Sequence, residues 1–367
     1  MKTEVLMKKL FKNIVLPLLS AILAAAAFSG LTFFSDEITD AVKNSVMRCM
    51  NVMIPSLFAV TALSTLLVDT GLCRLAAKPF HPIAKYIFRL PDELFIIVLL
   101  SNVSGYPIGI KLLSELYKKG SITKRTAELL SCCCYCGGPA FYASAIGLAL
   151  FGDIKSGAVV FLSVSCSDIV AAAAIGHIFK PKVIGKNKKL KFNADILNSS
   201  VLSAGRAMFV ICTFIVAFSI PCAVIDALGI THRICTFFGA DTNSEVLLRS
   251  CLEISNISDI KGVPYGLLPA ISAVCSFGGI CIILQLCALR HKDISLVPFL
   301  LSRIPIAALS FAACKLISRS IFPKALPAFS EQKHIFVIMN NFVPSFCLIM
   351  MILILNFKKT LAFSKRV

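Results

Sequence analysis

The sequence predicts an all-α fold, a polytopic membrane helical bundle with two repeats, each containing a broken or re-entrant segment. Three observations point there. The chain of 367 residues is 57% apolar and only 15% charged, against about 45–50% and about 25% in soluble globular proteins; its mean hydropathy is +0.85. The apolar residues gather in runs of about 20, the length that crosses a hydrocarbon core of about 30 Å as helix. Clusters of glycine, proline and hydroxyl residues interrupt some of these runs.

The first run, Ile14 to Phe34, follows Lys8, Lys9 and Lys12. Ala24 to Ala27 also resemble the small-residue end of a secretory signal, but the run exceeds a signal core and many spans follow. It reads as a retained first span. Further runs are Val46 to Val68, Leu94 to Leu116, Leu129 to Phe151, Ala158 to Phe179, Val201 to Ile225, Gly266 to Leu289, Ile294 to Ile317 and Ile335 to Phe357. Val246 to Ser258 is too short and too polar to cross alone. The length rule suggests about eight to ten membrane segments and no sizeable water-soluble domain.

The formal charge of +18 is spread in short clusters between the runs. That is the pattern of membrane flanks, not of a groove for phosphates, so nucleic acid is not an expected partner. The clusters are the N-terminus, the loop with Arg74, Lys78, Lys85 and Arg89, the loop with Lys118, Lys119, Lys124 and Arg125, the strong group from Lys180 to Lys191, and the tail. Two basic loops flank Leu94 to Leu116. If both are cytoplasmic, that segment enters and returns, or two half-helices meet. Its centre, Ser101-Asn102-Val103-Ser104-Gly105-Tyr106-Pro107-Ile108-Gly109, agrees, because Pro107 lacks a backbone donor and the glycines loosen the helix. Non-helical backbone at membrane depth survives only when buried in protein or lining a wet cavity.

A weak echo follows in the second half. Ser272 to Ile280 can be laid beside Ser101 to Gly109 with a Ser, a Val and an aromatic residue matching and Gly in both stretches, and each copy comes after a span opening with Ser-Val. Paired interrupted segments are the mark of internally duplicated transporters, with the substrate site at the breaks. Charge counting does not settle whether the copies are inverted. Most of the 16 cysteines lie in apolar runs, where cysteine acts as a small hydrophobe, so disulfides are not expected to organise the fold.

The run Ser104 to Leu130, S-G-Y-P-I-G-I-K-L-L-S-E-L-Y-K-K-G-S-I-T-K-R-T-A-E-L-L, resembles the hallmark of the YlbJ-type sporulation integral membrane proteins. These sit within the broader nucleoside-recognition, or gate-domain, membrane families. The resemblance continues through Gly138-Pro139-Ala140-Phe141, Ser200-Val201, Glu253-Ile254-Ser255 and Gly278-Gly279 to Gln285, covering roughly residues 42 to 310. It implies five segments: 1–41, a basic segment and first span; 42–180, a first gate-like repeat; 181–199, a basic cytoplasmic linker; 200–317, a second gate-like repeat; and 318–367, a last span and basic tail. It also implies passage of dipicolinate across the outer forespore membrane. A nucleoside cargo and a non-transporting scaffold for sporulation proteins are the alternatives. The chain departs from the family pattern at Cys132-Cys133-Cys134-Tyr135-Cys136, Cys281 and Ile283, where polar residues are expected.

A small aromatic dianion needs cations or N–H donors inside the membrane, and intramembrane charges are functional candidates by default. Lys111 lies near the first break, with Glu115 one turn on and able to pair with it. Tyr106 offers a stacking wall. Half-helix N-termini expose N–H groups suited to carboxylates. Ser101, Asn102, Ser104, Gly105, Pro107 and Gly109 place such a break in the first copy, and Ser276, Gly278 and Gly279 in the second; Gly137-Gly138-Pro139 adds another. Arg206 lies near the start of its span. Arg303, inside an apolar run, is read as an anion ligand or a neutraliser of Glu253. Glu253 and Asn256 stand one turn apart as a gate or proton site, Asp168 is a buried carboxylate able to take a proton, and Gln285 suits an interhelical hydrogen bond.

The remaining expectations are negative or open. No phosphate-binding loop appears, and the five histidines are scattered without H-E-x-x-H, so an enzyme is not expected. Cys133 and Cys136 form a lone C-x-x-C, short of the four ligands of a zinc site; no metal or other cofactor is expected. The expected partners are a small-molecule anion and the lipid bilayer, with homo-oligomerisation left open. The expected location is a cell membrane, in a multi-pass arrangement.

Overall fold

The computed structural model describes residues 32–184, 193–237, 242–259 and 263–322. The expected span Ile14–Phe34 up to residue 31, the whole of Ile335–Phe357, residues 1–31 of the first segment and 323–367 of the last, and most of the lysine cluster lie outside these residues. Among the described residues the chain is helical, with an isolated bridge between Ile122 and Val183 and no strand.

Helix α1, Ser35–Arg48, passes through a wide π-wound turn, Cys49–Met53, into α2, Ile54–Thr70. Pro55 falls in the first turn of α2, where a missing N–H costs little. α3, Asp92–Ser104, and α4, Ile108–Lys118, are the halves of the first broken segment. Asp92 and Glu93 suit the positive end of α3. α5, Lys124–Leu130, is capped by Thr123, whose hydroxyl accepts the Thr126 N–H. Residues 131–138 leave the helix before it resumes at Pro139–Phe141 and the π-wound Tyr142–Phe151.

Asp153 and Asn193 cap the two long helices that follow, α6, Ile154–Phe179, and α7, Ala194–Ala227. Then come α8, Thr242–Leu252, a 3₁₀ turn Ile254–Asp259, α9, Leu268–Phe277, α10, Ile280–Leu289, and α11, Val297–Ile321. α11 packs on α9 and α6, while α7 packs on α1 and α2.

Four stretches among the described residues are long and apolar enough to cross a membrane: Ile154–Phe179, Ala194–Ala227, Tyr265–Leu289 and Val297–Ile321. The α1–α2 pair, bent by 52°, makes a fifth if it is taken as one span. The chain is a multi-pass, all-α membrane protein. These spans are fewer than the length rule suggests, for physical reasons beyond the two outer runs. Leu94–Leu116 is two short halves, as the breakers imply. Leu129–Phe151 is not one span: α5 stops at Leu130, and the helix restarts only after Gly138. Val246–Ser258 ends α8 and forms the 3₁₀ turn.

Polarity runs opposite to that of a soluble bundle. Leu63, Leu202, Phe209 and Leu316 are exposed, while Ser64, Ser104, Ser163, Ser167, Ser272 and Ser310 are buried. Small hydroxyls let helices approach closely and bond across the contact when lipid is the solvent. Ser64 and Ser104 join α2 to α3 at 2.7 Å, and Ser272 and Ser310 join α9 to α11 at 2.7 Å. The described cysteines are free thiols.

Both broken segments turn on a glycine in the same unusual region: Gly105 at φ 82, ψ 168, and Gly278 at φ 77, ψ 156. That region is essentially closed to other residues. Gly138, at φ 79, ψ 151, shares that region, and the sequence alignment sets Gly278 beside Pro107 rather than beside Gly105. The division at 41/42 falls within α1, and the 181–199 segment runs into the first turns of α7.

Candidate functional site

Helix breaks leave carbonyls and N–H groups without intrahelical partners, so the site begins with what satisfies them. At the end of α9, Val274 O accepts the Gly278 N–H at 2.8 Å, Cys275 O accepts the Tyr106 hydroxyl at 2.6 Å, and Ser276 O accepts Arg303 Nη1 at 3.2 Å. Arg303 Nη2 also donates to Cys132 O, just beyond α5. One guanidinium thus ties the interrupted stretch after α5 to the second break. It lies over the Tyr135 and Phe299 rings, 5.0 and 4.8 Å from their centroids, an arrangement that favours a desolvated cation.

Asp168 of α6 supplies the counter-charge, its Oδ1 lying 3.7 Å from Arg303 Nη1, and both side chains are fully buried. Arg303 therefore pairs with Asp168 and not with Glu253, correcting one sequence reading. Its Nη1 and Nη2 donate to carbonyls, while its Nε has no hydrogen-bond partner.

The first break and the Gly137-Gly138 break lie backbone to backbone. A Cβ on Gly105 would stand 3.0 Å from Gly137 O, and one on Gly138 3.2 Å from Gly105 Cα. Tyr106 holds this corner, its hydroxyl 2.9 Å from that of Tyr142, which also accepts the Gly137 N–H at 3.3 Å.

Beside the corner opens a narrow crevice whose enclosed space is about 30 Å³. Leu57 of α2, Ile211 and Ile215 of α7, Phe141 and Ile282 of α10 give it apolar walls; Tyr106, Gly137, Glu253, Ser255 and Gln285 give it polar ones. Glu253 is 2% exposed. Its Oε1 accepts the Ser255 N–H at 3.1 Å, while Oε2 has no hydrogen-bond partner. Gln285 donates to Cys281 Sγ at 3.3 Å, and Arg48 of α1 donates to Ser255 Oγ at 2.9 Å. The lining thus joins apolar walls to one polar side.

Part of the chain is similar to a sporulation membrane protein. Over 118 residues it is 28% identical to the sporulation integral membrane protein YlbJ of Bacillus subtilis strain 168. The matched stretch covers 32% of this chain and 29% of YlbJ, under a third of either. No family model matches the chain, and no solved structure matches it.

Of the residues singled out in the sequence, Tyr106, Glu253 and Gln285 line the crevice, and Gly105 and Gly138 back its Gly137 wall. Ser101 Oγ and Asn102 Nδ2 turn back to Val98 O, and Ser104 is taken by Ser64. Pro107 precedes α4, Pro139 opens the short helix after the Gly138 break, and Gly109 lets α4 sit against the Cys134 backbone.

Lys111 does not snorkel to an interface. It is buried, 3.7 Å from Glu115, and it donates to Thr65 Oγ1 and Ser203 O, joining α4 to α2 and α7. Ser276, Gly278 and Gly279 form the second break without lining the crevice. Arg206 is exposed on α7, and the side chain of Asn256 lies outside the described set. Sequence reading missed Arg48, Ser255 and Tyr142 as parts of the site. Arg48 sits two residues inside the run Val46–Val68, a faint signal that a flanking charge reaches inward.

Proposed function

We propose that the chain carries a small organic anion across a membrane, with dipicolinate as the cargo and the outer forespore membrane as the place. The observation behind this reading is that glycine-held breaks meet beside a crevice walled by Tyr106, Phe141 and aliphatic side chains. Non-helical backbone in apolar surroundings is tolerated where protein buries it or a cavity needs it, and here both conditions apply. Arg48 beside Ser255 brings a cation near the crevice. The resemblance of Ser104 to Leu130 to the YlbJ-type proteins supplies the cargo. In this reading the site binds and releases rather than catalyses.

Purified chain in proteoliposomes should take up labelled dipicolinate above protein-free vesicles. Tyr106→Ala should lower uptake by about tenfold through loss of the wall and of its hydrogen bonds. No uptake and no binding by folded protein would overturn the reading. A second reading, a nucleoside-type cargo, draws support from the carboxylate and amide of Glu253 and Gln285 on one wall, since such groups pair with neutral polar rings. Competition by uridine or adenosine that exceeds that of pyridine carboxylates would favour it.

A further inference from the structure

We infer that Glu253 is a proton-accepting gate charge, and that each anion entering the crevice does so together with one proton taken up by this carboxyl. The inference rests on the transport reading above. Three features of the wall carry it. Glu253 is buried, it lines the crevice, and its Oε2 has no hydrogen-bond partner. A carboxylate at that depth with one oxygen unsatisfied is an expensive resting state. A carboxylic acid there would turn an O–H toward whatever occupies the space.

The charged and titratable groups facing it come from several elements. Arg48 of α1 acts on it from beside Ser255, and Cys49 follows Arg48 in the chain. The Cys281 thiol of α10 lies within its reach, and Tyr135 and Tyr106 approach from the breaks. Among these groups Arg48 alone carries a fixed charge.

With Glu253 ionised, its negative charge offsets that of Arg48, and an incoming carboxylate would meet a like charge across an enclosed apolar space. With Glu253 protonated, the repulsion becomes a donor–acceptor contact. The proton comes from water as the anion enters and returns to water as it leaves. A dianion and one proton then cross together as a net single negative charge.

The test is calorimetric titration of dipicolinate into the full-length wild-type chain in nanodiscs, between about pH 6 and pH 8, where the ligand stays a dianion. Affinity should weaken by up to about tenfold per pH unit as the carboxyl ionises. Binding heats in buffers of different ionisation enthalpy should report about one proton taken up per anion. Glu253→Gln, with its fold checked by thermal denaturation, should show no pH slope in its binding and take up no proton. Wild-type binding without proton uptake, or a Glu253→Gln protein that keeps the slope, would overturn the coupling and leave the transport reading standing. Folded wild type that binds no dipicolinate at any pH would overturn both.

Discussion

The two broken segments reach one backbone turn by opposite means. At the first, Gly105 faces the flexible tip of Leu57 and the Gly137 carbonyl, and residues of the segment itself hold the turn: Ser104 to Ser64, Tyr106 to Tyr142. At the second, Gly278 faces the Tyr135 ring, and its freed carbonyls are taken by Tyr106 and Arg303, both distant in sequence. The first break is therefore written where it occurs. The second is written mostly elsewhere in the chain, and it depends on groups that must be delivered to it.

That contrast can be broken at its strongest point first. Arg303→Met removes the donor shared by the Cys132 and Ser276 carbonyls and leaves Asp168 buried without its cation. It should cost about 3–5 kcal/mol, read as a large fall in the thermal denaturation midpoint in mild detergent. Adding Asp168→Asn should restore part of the loss. If the single variant were as stable as the wild type, the second break would not depend on delivered groups.

The glycines sharpen the comparison. Both Gly105→Ala and Gly278→Ala force a methyl-bearing residue into positive φ, at about 1–3 kcal/mol each. At Gly278 the added Cβ also runs into the Tyr135 hydroxyl, whereas at Gly105 it meets the movable Leu57 side chain at 2.7 Å and the Gly137 carbonyl at 3.0 Å. Gly278→Ala should therefore be the worse of the two by about 1–2 kcal/mol in the same denaturation assay. The reverse order would refute the asymmetry. The smallest effect is expected from Tyr106→Phe, which keeps the ring and loses the hydrogen bond to Cys275 O, at about 1–2 kcal/mol.

The same asymmetry governs what could be read from the sequence. Ser101 to Gly109 announces itself, because proline, glycine and hydroxyls crowd one short stretch. Lys111 and Glu115 are legible as a pair because i,i+4 spacing is local. Leu129–Phe151 misleads because hydropathy records apolar content and not the backbone angles of Gly138, which sits at φ 79 and ψ 151. The partner of Arg303 could not be chosen from the sequence, since Asp168 and Glu253 are equally remote in the chain from any rule of spacing. The crevice itself assembles side chains from α2, α7, the stretch after α5 and the 3₁₀ turn. Only Tyr106, Glu253 and Gln285 carried a polar signal strong enough to be noticed in advance.

The grip of Arg303 has a mechanical consequence. Its guanidinium holds one carbonyl from each half of the chain while leaning on Asp168. Pulling those carbonyls apart would strand a buried ion pair, so the two turns are yoked and shift together or not at all. Met53, which closes the wide turn between α1 and α2, borders the crevice and takes no part in that grip.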